Sequence, residues 1–150
     1  MNRQWELKLG STLGSTYGVP SEGESIVDPN WQQIEHELLL LNGGETNDNV
    51  MLTSLVGKGT LGIGGGDHGR YIVTYLPPED RPDMAPLTLT DLSLTGPDVP
   101  LTIQTTGEFP ARYAVKLPLV LKVVEHFFRM GELLKSVRWE ISTTGKEANL

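Results

Sequence analysis

The segment Gly62-Ile63-Gly64-Gly65-Gly66 is the part of the sequence closest to a phosphate-binding loop. Such a loop needs glycine amides that face the anion, followed by a helix N-terminus or a lysine. Here Asp67-His68-Gly69-Arg70 and a β-branched strand follow, and the Asp67 carboxylate would repel a phosphate. The glycines therefore predict a hairpin turn and indicate no nucleotide cofactor.

The three histidines do not have the spacing of a metal site or a catalytic triad. Metal ligands commonly recur three or four residues apart on a helix, or face each other across a hairpin. His36, His68 and His126 each lack a second histidine nearby, and the chain has no cysteine. His126 lies among apolar neighbours, which is typical of a structural histidine. The sequence predicts no metal and no cofactor.

Two pairs of neighbouring carboxylates raise the question of glycoside hydrolysis. Glu35 and Glu37 form one pair, and Glu79 and Asp80 form the other. That chemistry needs two carboxyl groups about 5 to 10 Å apart in a cleft, one of them with a pKa raised by burial. The first pair is predicted on the solvated side of a helix and the second in an acidic loop. We therefore expect no enzymatic activity.

The negative charge of the chain is concentrated in one third of its length. No Lys or Arg occurs between Lys8 and Lys58, whereas the rest of the chain has twelve acidic and twelve basic residues, so this third accounts for the net charge of −7. A one-signed surface steers a basic partner and disfavours nucleic acid, although it also serves solubility alone. The stretch contains seven carboxylates: Glu22, Glu24, Asp28, Glu35, Glu37, Glu45 and Asp48.

The bulk composition places the chain in a cytoplasm. The absence of cysteine fits a reducing compartment. No run of about 18 apolar residues is present, which predicts no membrane span. Glu6 stands where the apolar core of a signal peptide would begin.

Two helices are predicted. Asp28 and Pro29 supply an N-cap and a first helical position, and the helix that follows ends at Asn42-Gly43-Gly44. Its apolar stripe consists of Trp31, Ile34, Leu38 and Leu41. The second helix begins at Leu117-Pro118, continues to about Met130, and is so apolar that a sheet must cover it.

Short strands separated by turn residues account for most of the remainder. Alternation of Trp5, Leu7 and Leu9 with charged residues predicts the first strand, and Val137, Trp139 and Ile141 predict the last. The strands between them are predicted at 50–55, 60–64, 70–76, 87–92, 101–105 and 111–115.

These elements predict an α+β fold in a single domain spanning 1–150. A mostly antiparallel sheet of about six to eight strands would carry two helices packed on it. Residues 10–25 are rich in Gly, Ser and Thr and predict a flexible loop, and 142–150 predict a frayed tail.

Several short motifs, taken in order, are similar to those of a known family. Asp28-Pro29-x-Trp31 opens a helix ending in Leu-Leu-Leu-Leu-Asn-Gly-Gly, and an apolar strand, a glycine turn and Gly69-Arg70-Tyr71-Ile72-Val73 follow. Val115 to Pro118, His126-Phe127-Phe128, Gly131 and Trp139-Glu140 complete the order. From about residue 27 to 140 the chain resembles the immunity protein 1 family of bacterial polymorphic toxin systems. The recurring residues are expected at core and turn positions: Trp31, Gly65, Tyr71, Phe127, Gly131 and Trp139.

The resemblance implies a small cytoplasmic protein, not an enzyme, that binds and neutralises a cognate toxin, often a nucleic-acid deaminase. Such a toxin tends to have a basic cleft, which carboxylates of an inhibitor can occlude. Loops held by a rigid sheet are the easiest place for variable specificity. The predicted contact residues are Glu35, Glu37, Asp67, His68, Glu79, Asp80 and Asp83.

Two other functions stay open at this point. One is a regulatory module that holds a small molecule between the sheet and the helices. The other is a small subunit of a larger assembly. The sequence does not determine the oligomeric state.

Overall fold

The computed structural model describes residues 3–10, 25–44, 48–103 and 105–150. Within these residues the strands are β1 Trp5–Gly10, β2 Ser25–Val27, β3 Asn49–Ser54, β4 Thr60–Gly65, β5 Arg70–Leu76, β6 Leu87–Thr90, β7 Val99–Ile103, β8 Thr105–Phe109, β9 Val115–Lys116 and β10 Arg138–Ile141. The helices are α1 Trp31–Leu40 and α2 Leu117–Met130.

Eight of the described strands form one antiparallel sheet: seven follow the order β10-β6-β5-β4-β3-β1-β2, and the eighth, β9, pairs with β5. β5 is an interior strand with three partners: β4 pairs along one edge, while β6 and β9 share the other. β7 and β8 form a separate antiparallel hairpin. The predicted α+β class and mostly antiparallel sheet are confirmed.

Both helices pack on the same face of the sheet. Every second residue of a strand points to this face. Leu7, Leu52 and Val73 are examples, and they are buried in one cluster with Ile34 of α1 and Phe127 of α2. Because side chains alternate between the two faces along a strand, the intervening residues point to the opposite face. There the β7–β8 hairpin covers part of the sheet, and Leu101 and Ile72 form a second small core.

The residues expected at core and turn positions occupy such positions. Tyr71, Phe127 and Trp139 are buried, and Trp31 is half-buried against the core. The two glycines of the set have positive φ, +91° at Gly65 and +68° at Gly131, where glycine has no steric penalty.

The start of α1 differs from the prediction. The N-cap is Asn30, whose side chain accepts from the Gln33 amide, and the Gln33 side chain accepts from the Asn30 amide in return. Asp28 instead has a φ of +49°, and its carboxylate accepts from the amides of Gln4 and Trp5 at 2.8 and 3.1 Å. Asp28 therefore ties the helix entry to β1.

The predicted strands at 101–105 and 111–115 differ from the structure: the first has other bounds, and most of the second is not a strand. The first strand lies at Val99–Ile103. The turn residues that were predicted to separate it from the second strand include Gly107 to Phe109, which belong to β8. Ala111–Tyr113 form a short 3-10 turn, and Val115 opens the two-residue strand β9. Pro110 precedes the turn and interrupts the extended backbone, since proline has no amide for a ladder.

The two predicted irregular segments have different outcomes. Most of the predicted loop at 10–25 lies outside the described residues, while Gly10 and Ser25 themselves belong to strands. The tail, predicted to fray, turns back on β10. The Ala148 amide donates to the Trp139 carbonyl, and the backbone of Glu147 forms an isolated antiparallel β-bridge with that of Glu140.

Candidate functional site

The acidic loop, from Pro77 to Pro86, presents the most exposed of the predicted contact carboxylates. Glu79, Asp80 and Asp83 are all exposed. The Arg81 guanidinium donates to both carboxylate oxygens of Asp83, at 3.2 and 3.3 Å, and this hydrogen bond lowers the pKa of Asp83. Glu79 and Asp80 make no ion pair with any described residue, so their charges are exposed to solvent.

Asp67 has a structural role in the turn between β4 and β5. Its two carboxylate oxygens accept from the backbone amide of Thr102 in β7, at 3.2 and 2.8 Å. A Cβ at Gly43 would also overlap the Asp67 carboxylate. Asp67 therefore joins the turn to the hairpin. His68 beside it is exposed, with a φ of +59°.

Replacing Asp67 by Ala is expected to lower the free energy of unfolding by about 1–3 kcal/mol, because the Thr102 amide loses its acceptor. His68→Asn is the control: it changes an exposed neighbour, and Asn tolerates the same positive φ. Urea unfolding of both variants gives the comparison. Equal stabilities would contradict the structural role of Asp67.

Glu35 and Glu37 do not form a pair on α1. Residues two apart on a helix are about 200° apart around its axis. The buried stripe of Ile34 and Leu38 lies between the two carboxylates, each of which is half-buried on its own side. The exposed surface of the helix includes His36 and Leu39.

The predicted contact residues therefore divide between two ends of the sheet. The Asp67 turn precedes β5 and the acidic loop follows it. Seven extended residues separate the two ends by about 20 Å. The structure brings Glu79, Asp80 and Asp83 together in one loop and does not bring the other residues to them.

The acidic third of the sequence is only partly a charged surface. Asp28 is held by two amides, which lower its pKa. Asp48 is fully buried and accepts from the Asn49 side chain at 2.8 Å. Glu22, Glu24 and Glu45 lie outside the described residues. The exposed Asp28 and the half-buried Glu35 and Glu37 are thus the described carboxylates of this stretch that contribute charge to the surface.

A recess of about 300 Å³ borders the acidic loop and was not predicted. Buried side chains of Tyr75, Leu87 and Phe127 contribute to its wall, and Lys58 and Lys135 contribute cations. These residues come from five separate segments of the chain, so their spacing in the sequence gives no signal. The exposed dipeptide Leu55-Val56 in the neighbouring turn is a signal that sequence reasoning could have used.

A buried ionic cluster was also not predicted. Glu140 on β10 accepts from the Tyr113 hydroxyl at 2.5 Å, from Arg112 at 3.2 Å and from Arg138 at 2.9 Å. The Arg112 guanidinium lies 4.3 Å from the centre of the Tyr113 ring. Burial alone would raise the pKa of Glu140, but these three donors outweigh it and the pKa is lowered. The cluster fixes the last strand to the 3-10 turn.

No metal-binding cluster occurs in the described part of the chain: nowhere do three or more His, Asp or Glu side chains converge. Neither of the two described helices has the length and apolar character needed to cross a membrane.

Comparison with known proteins gives one match. No curated protein and no solved structure matches the chain. A family model described as Immunity protein Imm1 matches residues 31–140, which include both helices, strands β3 to β9 and most of β10. The chain belongs to the Imm1 family of immunity proteins.

Proposed function

We propose that this protein binds a cognate toxin domain in a stoichiometric complex and thereby neutralises it, without catalysis of its own. The toxin is proposed to be a nucleic-acid deaminase or nuclease that acts in the cytoplasm. The observation that carries the proposal is family membership over residues 31–140, since an immunity protein implies a toxin partner. It favours this function over a small-molecule-binding module.

The loop from Pro77 to Pro86 is the proposed contact with the toxin. Glu79 and Asp80 are exposed and make no ion pair with described residues. Met84 on the same loop is 37% exposed and offers apolar surface beside these charges. Interfaces commonly combine a few apolar anchors with a polar rim.

The loop carboxylates are proposed to face the basic substrate cleft of the toxin. Opposite charge raises the association rate and discriminates between partners. Within the acidic loop, Arg81 already holds Asp83, so the contribution of Asp83 is to orient Arg81. Glu79 and Asp80 are therefore the proposed charge contacts.

The double variant Glu79→Lys/Asp80→Lys is expected to weaken toxin binding by about tenfold or more, mainly through slower association. The matched control is Asp98→Lys/Glu108→Lys, which makes the same charge change at exposed positions of the β7–β8 region. Surface plasmon resonance against the toxin domain encoded beside this chain's gene, at about 0.05 and 0.5 M salt, measures both rates.

The control variant is expected to associate faster than the loop variant at low salt and to differ less from it at high salt. Equal affinities of the two variants would remove the loop from the interface. Failure of the unsubstituted chain to bind the toxin would contradict the proposed function itself.

A further inference from the structure

The recess beside the acidic loop combines a closed apolar wall with an open rim. It lies between the β3–β4 turn, the acidic loop and the segment after α2. Tyr75 and Phe127 on its wall are core residues whose rings meet edge to face, 6.1 Å apart. The Tyr75 hydroxyl donates to the Lys58 carbonyl at 3.0 Å, which fixes the turn at the rim. The recess is thus supported by the folded core.

The rim of the recess is locally basic on a protein with a net charge of −7. Lys58 and Lys135 make no ion pair with described residues, and Arg81 is held by Asp83. The carboxylate on the same rim, Glu132, is near His126 at 3.6 Å. The lining side chains therefore include three cations and one carboxylate, Glu132, which leaves this rim positive, and Lys58 and Lys135 make no ion pair within the described part of the chain.

Exposed apolar side chains occur in the turn and in the loop that border the recess. Leu55 and Val56 in the β3–β4 turn are 44% and 54% exposed, and Met84 borders the recess from the loop. Exposed apolar side chains that border a recess mark an interaction site more often than scattered single ones do. This end of the sheet therefore offers apolar burial and positive charge together.

We infer that the recess binds a toxin segment in which an apolar side chain stands next to a carboxylate. The apolar group packs against the wall that Tyr75, Leu87 and Phe127 form, and the carboxylate is bound by Lys58 and Lys135. The inference rests on the proposed function and extends it. Pro78 and Arg81 belong to both the recess and the acidic loop, so the two surfaces are continuous.

Charge complementarity determines the occupant. A basic segment, suited to Glu79 and Asp80, would be repelled by Lys58 and Lys135. A segment with an apolar side chain and a carboxylate can bind in the recess, while a basic part of the same toxin pairs with the carboxylates of the acidic loop. Paired patches of opposite sign fix the orientation of the partner and reject partners with one sign of charge.

The double variant Lys58→Glu/Lys135→Glu is expected to weaken toxin binding by about tenfold or more. The control is Lys116→Glu/Lys122→Glu, which makes the same charge change at two exposed lysines, one in β9 directly before α2 and one within α2. It is expected to bind within about twofold of the unsubstituted chain. Circular dichroism establishes that both variants are folded before affinities are compared.

Hydrogen exchange of the unsubstituted chain, free and toxin-bound, gives a second readout. Slower exchange on binding is expected at 55–60 and 131–136, the two segments that carry the rim lysines. A recess variant that binds as well as the control, or protection confined to other segments, would overturn the inference. Both results require that the unsubstituted chain binds the toxin, so failure of the proposed function is recognised separately.

Discussion

Replacing Glu140 by Ala is expected to lower the free energy of unfolding by about 2–4 kcal/mol. The substitution removes the acceptor of Arg112, Arg138 and the Tyr113 hydroxyl at once. Both arginines are partly exposed and recover some hydration, which keeps the loss below that of a fully buried pair. Equilibrium unfolding in urea measures the change.

Glu147→Gln is the matched control for Glu140→Ala. Both carboxylates accept from Arg138, at nearly the same distance, but the Glu147 side chain is 62% exposed whereas that of Glu140 is 2% exposed. An exposed ion pair contributes less than about 1 kcal/mol. Similar losses for the two variants would contradict the importance of burial at Glu140.

The same cluster gives stability a pH dependence. The pKa of Glu140 is lower in the folded chain than its ordinary value. Its contribution is therefore fully present at neutral pH and is lost as the pH falls through the folded pKa. Glu140→Ala should reduce the acid-induced loss of stability relative to the unsubstituted chain.

Replacing Phe127 by Ala is expected to lower the free energy of unfolding by about 3–5 kcal/mol, through lost burial and the cavity left behind. Phe127 is fully buried, and its ring meets those of Trp5 and Tyr75 edge to face, at 5.2 and 6.1 Å. These contacts hold α2 against β1 and β5. Thermal and urea unfolding both report the loss.

Phe128→Ala is the neighbouring control. Phe128 is half-buried and contacts Trp5 and Trp31 at the edge of the core, 5.8 and 6.4 Å between ring centres. Its removal leaves a site open to water and is expected to cost about 1–2 kcal/mol. A loss at Phe128 as large as that at Phe127 would contradict the placement of the core.

Local chemistry was sufficient to predict α2 from the sequence. Pro118 suits the first turn, the apolar stripes require a covering sheet, and Gly131 adopts the left-handed conformation after the last turn. The observed bounds, Leu117–Met130, match the prediction. The alternating strand β1 was predicted for the same reason, since the face with Trp5 and Leu7 is buried.

The N-cap of α1 and the strand β8 were predicted wrongly, because contacts with distant parts of the chain determine both. Asp28 and Asn30 are both good N-caps, and the choice depends on Asp28 meeting the amides of β1, twenty-four residues away for Gln4. The hairpin strand β8 is defined by its pairing with β7, which the residues Gly107-Glu108-Phe109 do not reveal.

The placement of the candidate site residues in the fold was predicted in part, because carboxylates of the same type have different roles in the fold. Glu79 and Asp80 were correctly placed in an exposed loop by the prolines around them. Asp67 accepts from Thr102 thirty-five residues away, and Glu140 accepts from Arg112 twenty-eight residues away. Only long-range contacts assign such residues to structure instead of to a partner.

The most direct test of the account is growth rescue in a bacterium that expresses the toxin domain encoded beside this chain's gene. The account predicts that co-expression of this chain restores growth and that the two proteins co-purify in a one-to-one complex. It further predicts that Glu79→Lys/Asp80→Lys rescues less well than Asp98→Lys/Glu108→Lys. A toxin that still kills in the presence of the folded chain, with no complex formed, would contradict the proposed function.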